Sequence, residues 1–522
     1  MRISTVGVLA TLGMILTSTA VWSATAPDPT NGGGPEPARQ GQALSSLRDP
    51  GPDSPDDPQR PADPPPIVDK STFVAGKTLM MEGRLGHAKL LADTRGETFL
   101  FVDVRSDDLA LDPFGAATSF EPLNLAIVVD RSGSMKGQRE RNALDAAAGM
   151  IRRLRDGDSV SIVAYADTAR TVVPVTTVTS ATREQIIRDL QFNLTDQPSG
   201  HTCISCGLEA GMRSLAGRRA GIDRVMLLSD GEANRGTTDE AGMRTLARQA
   251  RNGGATISSI GVDVDYNERL MSAIAREANG RHYFSETGEN LEDIFDQELD
   301  SLITAIAKNA KLEVELAPGV RVAEVLDRSY QQVDRRVIVP MGTFAKGEHK
   351  TLLLRLDVPA SPVGQRPVAA LSLRYDDLLG TADGGECFGE LAVQMTPNTR
   401  EVSALDAIVL GRLSKSETAR TLEQANALFA AGRTNEAQAL VDDHLDNLED
   451  LKRKASAASG IAGFFDPFGR DLDKDFAEQA KVLDDANAGF DEAAAAPEPA
   501  PASRPGKAQV RRNAEKADAF SL

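Results

Sequence analysis

The chain has 522 residues, 41% of them apolar and 4% aromatic, with a formal net charge of −18. This length accommodates roughly three domains plus tails. The acidity excludes nucleic-acid binding through the bulk surface, and three Cys are too few for a disulfide scaffold.

In chain order, Arg2, the apolar run Val6–Leu16 and the small-x-small sequence Ala24-Thr25-Ala26 have the pattern of an export signal over residues 1–26. The pattern leaves open whether the signal is cleaved or kept as an anchor. Residues 27–66 hold 12 of the 27 Pro, set among Asp, Gly and Gln. Such a segment cannot bury enough apolar surface to order itself and reads as a disordered, extended linker. Residues 67–117 carry short alternating runs, Thr78–Glu82 and Glu97–Val104, and read as a β-rich segment.

From 118 to 306 short apolar runs alternate with helical periodicity, the pattern of a parallel, doubly wound α/β sheet. Strands are predicted over Leu125–Val129, Val225–Leu228 and Ala255–Gly261. Ala143, Ala147, Met150, Ile151 and Leu154 share one helix face. Residues 309–395 return to strand alternation, at Lys311–Leu316, Arg336–Val339, Thr351–Val358 and Val368–Arg374. A doubly wound domain with neighbouring ends can sit inside another fold. Residues 67–117 and 309–395 are therefore expected to pair as one discontinuous β-sandwich. Residues 400–488 read as a helical region, with the stripe Ala437, Val441, Leu445 and Leu448 and a further helix near Leu472–Ala488. The run from Ala427 to Ala437 resembles half a tetratricopeptide unit, but a single copy favours a plain helical hairpin. The Ala- and Pro-rich residues 489–522 are expected to form a disordered tail. No run of about 20 apolar residues follows the N-terminus, so no internal membrane span is expected.

The chemistry gathers at the sheet edge. Asp130-Arg131-Ser132-Gly133-Ser134 follows directly on a buried strand, Gly200-His201-Thr202 precedes a helix, and Ser229-Asp230-Gly231-Glu232 follows another central strand. Ligands of open α/β sheets bind at this edge. Two carboxylates and three hydroxyls are a hard oxygen set of the kind Mg²⁺ takes while keeping some water. Hydroxyls coordinate without cancelling charge. With Asp130 and Asp230 acting partly through water, the ion stays electron-poor and can accept a carboxylate from another protein.

Here the chain resembles the von Willebrand factor type A family, over about residues 118–306. Asp130, Ser132, Ser134, Thr202 and Asp230 match the five positions of that family's metal-ion-dependent adhesion site. The resemblance implies a Rossmann-like sheet that binds Mg²⁺ or Mn²⁺ and engages an acidic residue of a protein ligand. The flanks are similar to a bacterial exported subfamily in which this domain lies between β-rich segments.

Other signals are weaker. Cys203 and Cys206 are spaced i, i+3 beside Thr202, which suits a disulfide in a helical first turn and equally suits two small packing residues. Asp263-Val264-Asp265 and Asp471-Leu472-Asp473 begin like calcium loops but lack the Gly and the closing Glu; both read as solvated acidic turns. Gly342–Gly347 spaces its glycines like a phosphate loop, with Glu348 where Lys belongs. His201 reads as a surface residue beside the Thr202 loop.

No catalytic constellation is apparent. The expected function is an exported, non-enzymatic binding or adhesion module, in the periplasm, the envelope or outside the cell. Its partner would be a protein offering an acidic residue. The alternative is an envelope scaffold with a purely structural metal and partners on the C-terminal helices. The sequence leaves oligomeric state open.

Overall fold

A computed structural model describes residues 70–106, 121–193, 200–217, 221–379, 384–460 and 466–521. The export signal and the proline-rich linker lie outside the described residues. Four strands come first: β1 (Thr72–Gly76), β2 (Leu79–Leu85), β3 (Lys89–Leu91) and β4 (Gly96–Ser106).

The α/β domain follows as β5 (Leu123–Asp130), α1 (Gln138–Arg153), β6 (Ser159–Tyr165), β7 (Ala169–Thr177), α2 (Arg183–Asn193) and α3 (Ile204–Leu215). It continues with β8 (Ile222–Ser229), α4 (Glu240–Asn252), β9 (Ala255–Val262), α5 (Glu268–Glu277), β10 (Asn279–Ser285) and α6 (Leu291–Ile303). The sheet order is β10-β9-β8-β5-β6-β7, parallel except for β7. All eight residues of β5 are buried. Leu125, Ile127 and Val129 pack toward α1, α2 and α6, while Ala126 and Val128 pack toward α3, α4 and α5. Successive side chains on a strand face opposite ways, so a strand covered on both faces must be apolar throughout. This is the doubly wound arrangement read from the sequence.

Seven strands return the chain: β11 (Ala305–Leu316), β12 (Arg321–Leu326), β13 (Gln331–Val333), β14 (Arg336–Ala345), β15 (His349–Val358), β16 (Gly364–Asp377) and β17 (Gly385–Thr396). They share two sheets with the first four strands, in the orders β1-β2-β4-β15-β12 and β13-β14-β11-β16-β17-β3. β15 pairs antiparallel with β4 along its whole length, from His349↔Arg105 to Val358↔Gly96. The core between the sheets includes Met81, Val102, Val104, Leu312, Val314, Leu371 and Val393. The α/β domain is thus inserted between β4 and β11 of a β-sandwich.

Among the described residues four helices follow: α7 (Ala407–Ala430), α8 (Thr434–Ser459), α9 (Leu472–Ala494) and α10 (Arg504–Ser521). The first three pack on one another, with Phe429 and Phe490 stacked at 4.6 Å between ring centroids. Ile408 and Val409 of α7 dock against Phe101, Leu326 and Leu353 of the sandwich. No helix among the described residues is long and apolar enough to cross a membrane.

The expectation of a disordered tail over 489–522 is overturned. α9 runs on to Ala494, and α10 packs on α7 and α9 through Ala517 and Phe520 and against the α/β domain through Ala508. Ser272 donates to Asp518 at 2.6 Å, Arg276 pairs with Asp518, and Arg511 donates to the Tyr266 carbonyl at 2.9 Å. The buried face of α10 includes Ala508, Ala514, Ala517 and Phe520. Such a face carries little hydropathy, and its ion-pair partners lie far away in sequence, so composition alone mistakes the helix for a tail.

Beneath α5 and α10, His282 of β10 is 7% exposed. Its Nδ1 lies 2.8 Å from Ser259 Oγ and its Nε2 3.0 Å from Tyr266 Oη. Burial pushes this imidazole down to about 4; Asp518 opposes the shift and Arg511 and Arg276 reinforce it. The unfolded chain takes up this proton near the ordinary value of 6.5, whereas the folded chain does not until about 4. The stability contributed by the neutral ring is therefore full above the unfolded value and is lost as pH falls toward 4, by roughly 3 kcal/mol. Asp130, raised to about 6, contributes the opposite slope in this window, so the His282 term is read as the difference between parent and His282→Asn: from about pH 7 to pH 4.5 the parent should lose stability relative to the variant by most of that amount. An unchanged slope in the variant would reject the assignment.

Candidate metal centre

β5 lies beside β8, with Val129 opposite Leu228, so Asp130 and Ser229 end their strands together. Asp130 is completely buried. Its Oδ1 accepts from the Ser132 N–H at 2.8 Å and its Oδ2 from Ser229 Oγ at 2.8 Å. The turn after β5 carries Ser132 and Ser134, whose hydroxyls lie 2.9 Å apart. Ser134 Oγ donates to Asp230 Oδ1 at 2.7 Å, and Ser132 Oγ reaches the same oxygen at 3.4 Å.

The Thr202 loop is tied to the Asp230 loop through Asn234. The Thr202 N–H donates to Asn234 Oδ1 at 2.7 Å, and the Asn234 N–H donates to the Thr202 carbonyl at 3.1 Å. Gly231 marks the convergence: a Cβ there would sit 3.5 Å from Thr202 Oγ1 and 3.8 Å from Ser134 Oγ. All five residues singled out at the sheet edge, Asp130, Ser132, Ser134, Thr202 and Asp230, therefore come together.

Burial pushes the Asp130 carboxyl up to about 6, against its bonds from Ser132 and Ser229, and the neighbouring Asp230 adds to the rise. Asp230 is raised as well, chiefly by burial, with Ser134 and Arg139 opposing. Two buried carboxylates surrounded by hydroxyls are a hard oxygen set that a divalent cation would relieve of its mutual repulsion. The residues present fit such an ion.

Sequence reasoning missed Arg139. This residue of α1 donates to Asp230 Oδ2 at 3.1 Å and to the Ser134 carbonyl at 3.1 Å, and it also pairs with Asp263. Asp263 in turn accepts from Arg504 of α10 at 2.7 Å. Asp263 is 3% exposed, which corrects its reading as part of a solvated turn. Asp471 is exposed, as the reading of a solvated turn expects, and it caps α9 by accepting from the Lys474 N–H at 3.0 Å. His201 is exposed and turned toward Asp167, at 2.6 Å.

The family model of the von Willebrand factor type A domain matches residues 124–297, the stretch that carries all five residues. Residues 124–297 form a von Willebrand factor type A domain. The protein sll0103 of Synechocystis sp. is 29% identical over 268 residues, covering 49% of this chain and 62% of its own length. The protein YfbK of Escherichia coli is 26% identical over 300 residues, covering 56% of this chain and 50% of its own length. The chain thus spans half to three fifths of the length of these two relatives.

Among solved structures, a von Willebrand factor type A protein from Catenulispora acidiphila superposes with a TM-score of 0.61 at 16% identity, covering 79% of this chain and 98% of its own. The ArnB paralog VWA2 from Sulfolobus acidocaldarius gives 0.54 at 15% identity, covering 85% and 99%. Both likenesses extend well past the type A domain, so the fold they share includes its flanks.

In this type A domain Cys203 and Cys206 form a disulfide across the first turn of α3, with Cα atoms 5.3 Å apart. Gly236, at φ +71°, makes room for it; a Cβ there would lie 2.6 Å from Cys203 Sγ. Closing so short a loop removes chain entropy worth on the order of 2 kcal/mol. Unfolding in dithiothreitol should fall short of unfolding under oxidising conditions by about that amount. Equal stabilities would show that the bridge contributes nothing.

Proposed function

We propose that this chain is an exported, metal-dependent protein-binding module rather than an enzyme. Ser132, Ser134 and Thr202 hold Mg²⁺ or Mn²⁺ through their hydroxyls, and Asp130 and Asp230 supply charge directly or through water. The observation that carries this reading is the convergence of three loops, two buried carboxylates and three hydroxyls at the C-terminal edge of the sheet. A bound divalent cation supplies a coordination position for a carboxylate of a protein partner.

The chain's own residues do the rest. The Ser132 N–H and Ser229 Oγ fix both oxygens of Asp130, so it cannot swing toward an incoming acid. Arg139 pairs with Asp230 at 3.1 Å and so fixes that carboxylate. The disulfide stiffens the turn that follows Thr202. Residues 1–26 as an export signal and a disulfide in a chain of three Cys suit an oxidising compartment, the periplasm, the envelope or the exterior.

The test is capture by the immobilised chain from envelope and surface extracts. A partner with an exposed acidic residue should be retained in Mg²⁺ or Mn²⁺, released by EDTA, and lost with Ser134→Ala. Retention that ignores both EDTA and the variant would overturn the reading.

A further inference from the structure

Thr202 runs directly into the disulfide, since Cys203 follows it and Cys206 closes the bridge. Cys203 is completely buried, whereas Cys206 is only half-buried. The Cys203 N–H donates to the Ala166 carbonyl at 2.8 Å, and Cys203 Sγ accepts from the Cys206 N–H at 3.3 Å. The residue after Thr202 is thus held by both its main chain and its side chain.

The bridge also bears on the loop that carries Asp230. A Cβ at Gly236 would lie 2.4 Å from Ser205 Oγ as well as 2.6 Å from Cys203 Sγ, so this backbone lies hard against the first turn of α3. The Thr237 N–H donates to that Ser205 Oγ at 3.0 Å. Two residues before Gly236, Asn234 bonds the Thr202 backbone at both its N–H and its carbonyl. Thr202, Cys203, Gly236 and Asn234 therefore form a closed circuit. Bonded sulfurs fit inside it. Two thiols stand at van der Waals distance and need more room, and a close-packed interior feels such a change. The room must come from the first turn of α3 or from the 234–237 backbone, and each of these positions Thr202.

We propose that the Cys203–Cys206 bridge is a redox gate on the metal centre, opened by a dithiol reductant. A thiolate of the dithiol attacks Cys206 Sγ, the more accessible residue of the pair. The S–S bond breaks, a mixed disulfide forms and Cys203 leaves as the thiolate. The second thiol of the reductant then closes its own disulfide and releases Cys206. The bridge gains two electrons and two protons, and the dithiol loses the same. In the reduced chain Thr202 is no longer held in place, and the cation binds more weakly. The gate rests on the metal-centre reading.

The experiment is calorimetric titration of Mg²⁺ into the full chain, oxidised and after anaerobic reduction with dithiothreitol. Free thiols should rise from one, the buried Cys387, to all three Cys. The reduced chain should bind Mg²⁺ at least about tenfold more weakly, the scale on which residues that orient a metal ligand act. Reoxidation should restore the affinity. Linkage requires the reciprocal effect: a tenfold preference for the bridged form lowers the midpoint potential of the bridge by about 30 mV in saturating Mg²⁺. Circular dichroism checks that the reduced chain stays folded. Cys206→Ser, permanently open, replaces it if it does not, and should bind weakly with or without dithiothreitol. Equal affinity in the two folded forms, with an unmoved midpoint, would overturn the gate and leave the metal centre standing. No Mg²⁺ binding in either form would overturn the metal-centre reading and the gate with it.

Discussion

Alanine at Asp130 is expected to abolish the stabilisation that Mg²⁺ or Mn²⁺ gives the folded chain, while leaving the chain folded. A ligand that binds only the native state at 100 times its Kd adds about 2.7 kcal/mol. The variant should gain close to nothing at the same concentration. Two opposing effects should keep its metal-free stability near that of the parent. Removing the carboxylate eliminates a buried charge that burial already disfavours. It also strands two donors, the Ser132 N–H and Ser229 Oγ, each at a cost of roughly 1–3 kcal/mol. Urea unfolding of both proteins, with the cation and with EDTA, separates these terms. An equal gain in parent and variant would mean that the ion binds elsewhere. Collapse of the metal-free variant would make Asp130 a folding residue first.

The five sheet-edge residues were legible in the sequence because their position follows from local pattern. Each loop hangs on a buried strand or opens a helix, and parallel order puts such ends at one edge. Arg139 and Asp263 were not legible. They are 124 positions apart, and Arg504 is a further 241 beyond Asp263. No local rule pairs a helix arginine with a turn aspartate at that distance. Ser159–Tyr165 escaped the strand reading for a related reason. It carries two serines, yet all seven residues are buried, and Ser161 is satisfied by Ser214 of α3 at 2.6 Å. A hydroxyl with a partner can sit inside a sheet, and the partner is what the sequence hides. α10 was the larger miss, since its contact face is largely alanine.

That helix gives the second large effect. Deleting residues 504–522 is expected to destabilise the chain by at least about 4 kcal/mol, through the lost burial of Phe520 and the alanine face alone. It also takes Asp518 from Arg276 and Arg504 from Asp263. Arg276 is half-buried, so its lost pair adds only a modest further cost. Asp263 is nearly buried, and its remaining described ion pair is Arg139, the residue that also holds Asp230. Loss of α10 should therefore reach the metal centre as well as the core. Denaturant unfolding of the truncated chain reads the first effect, and a weakened cation titration reads the second. Arg504→Ala isolates the second, because that side chain is largely exposed and its loss spares the alanine face. A truncated chain as stable as the parent would show that α10 docks without contributing to the fold. The same packing bears on the scaffold alternative. Removing residues 400–522 would strip Ile408 and Val409 from the sandwich core, so lost capture would report unfolding rather than a lost docking surface. Charge reversal on the exposed face of α8, at Asp450, is the sounder comparison. Capture that survives Asp450→Lys but fails in EDTA belongs to the metal centre. Capture with the opposite dependence belongs to the helices.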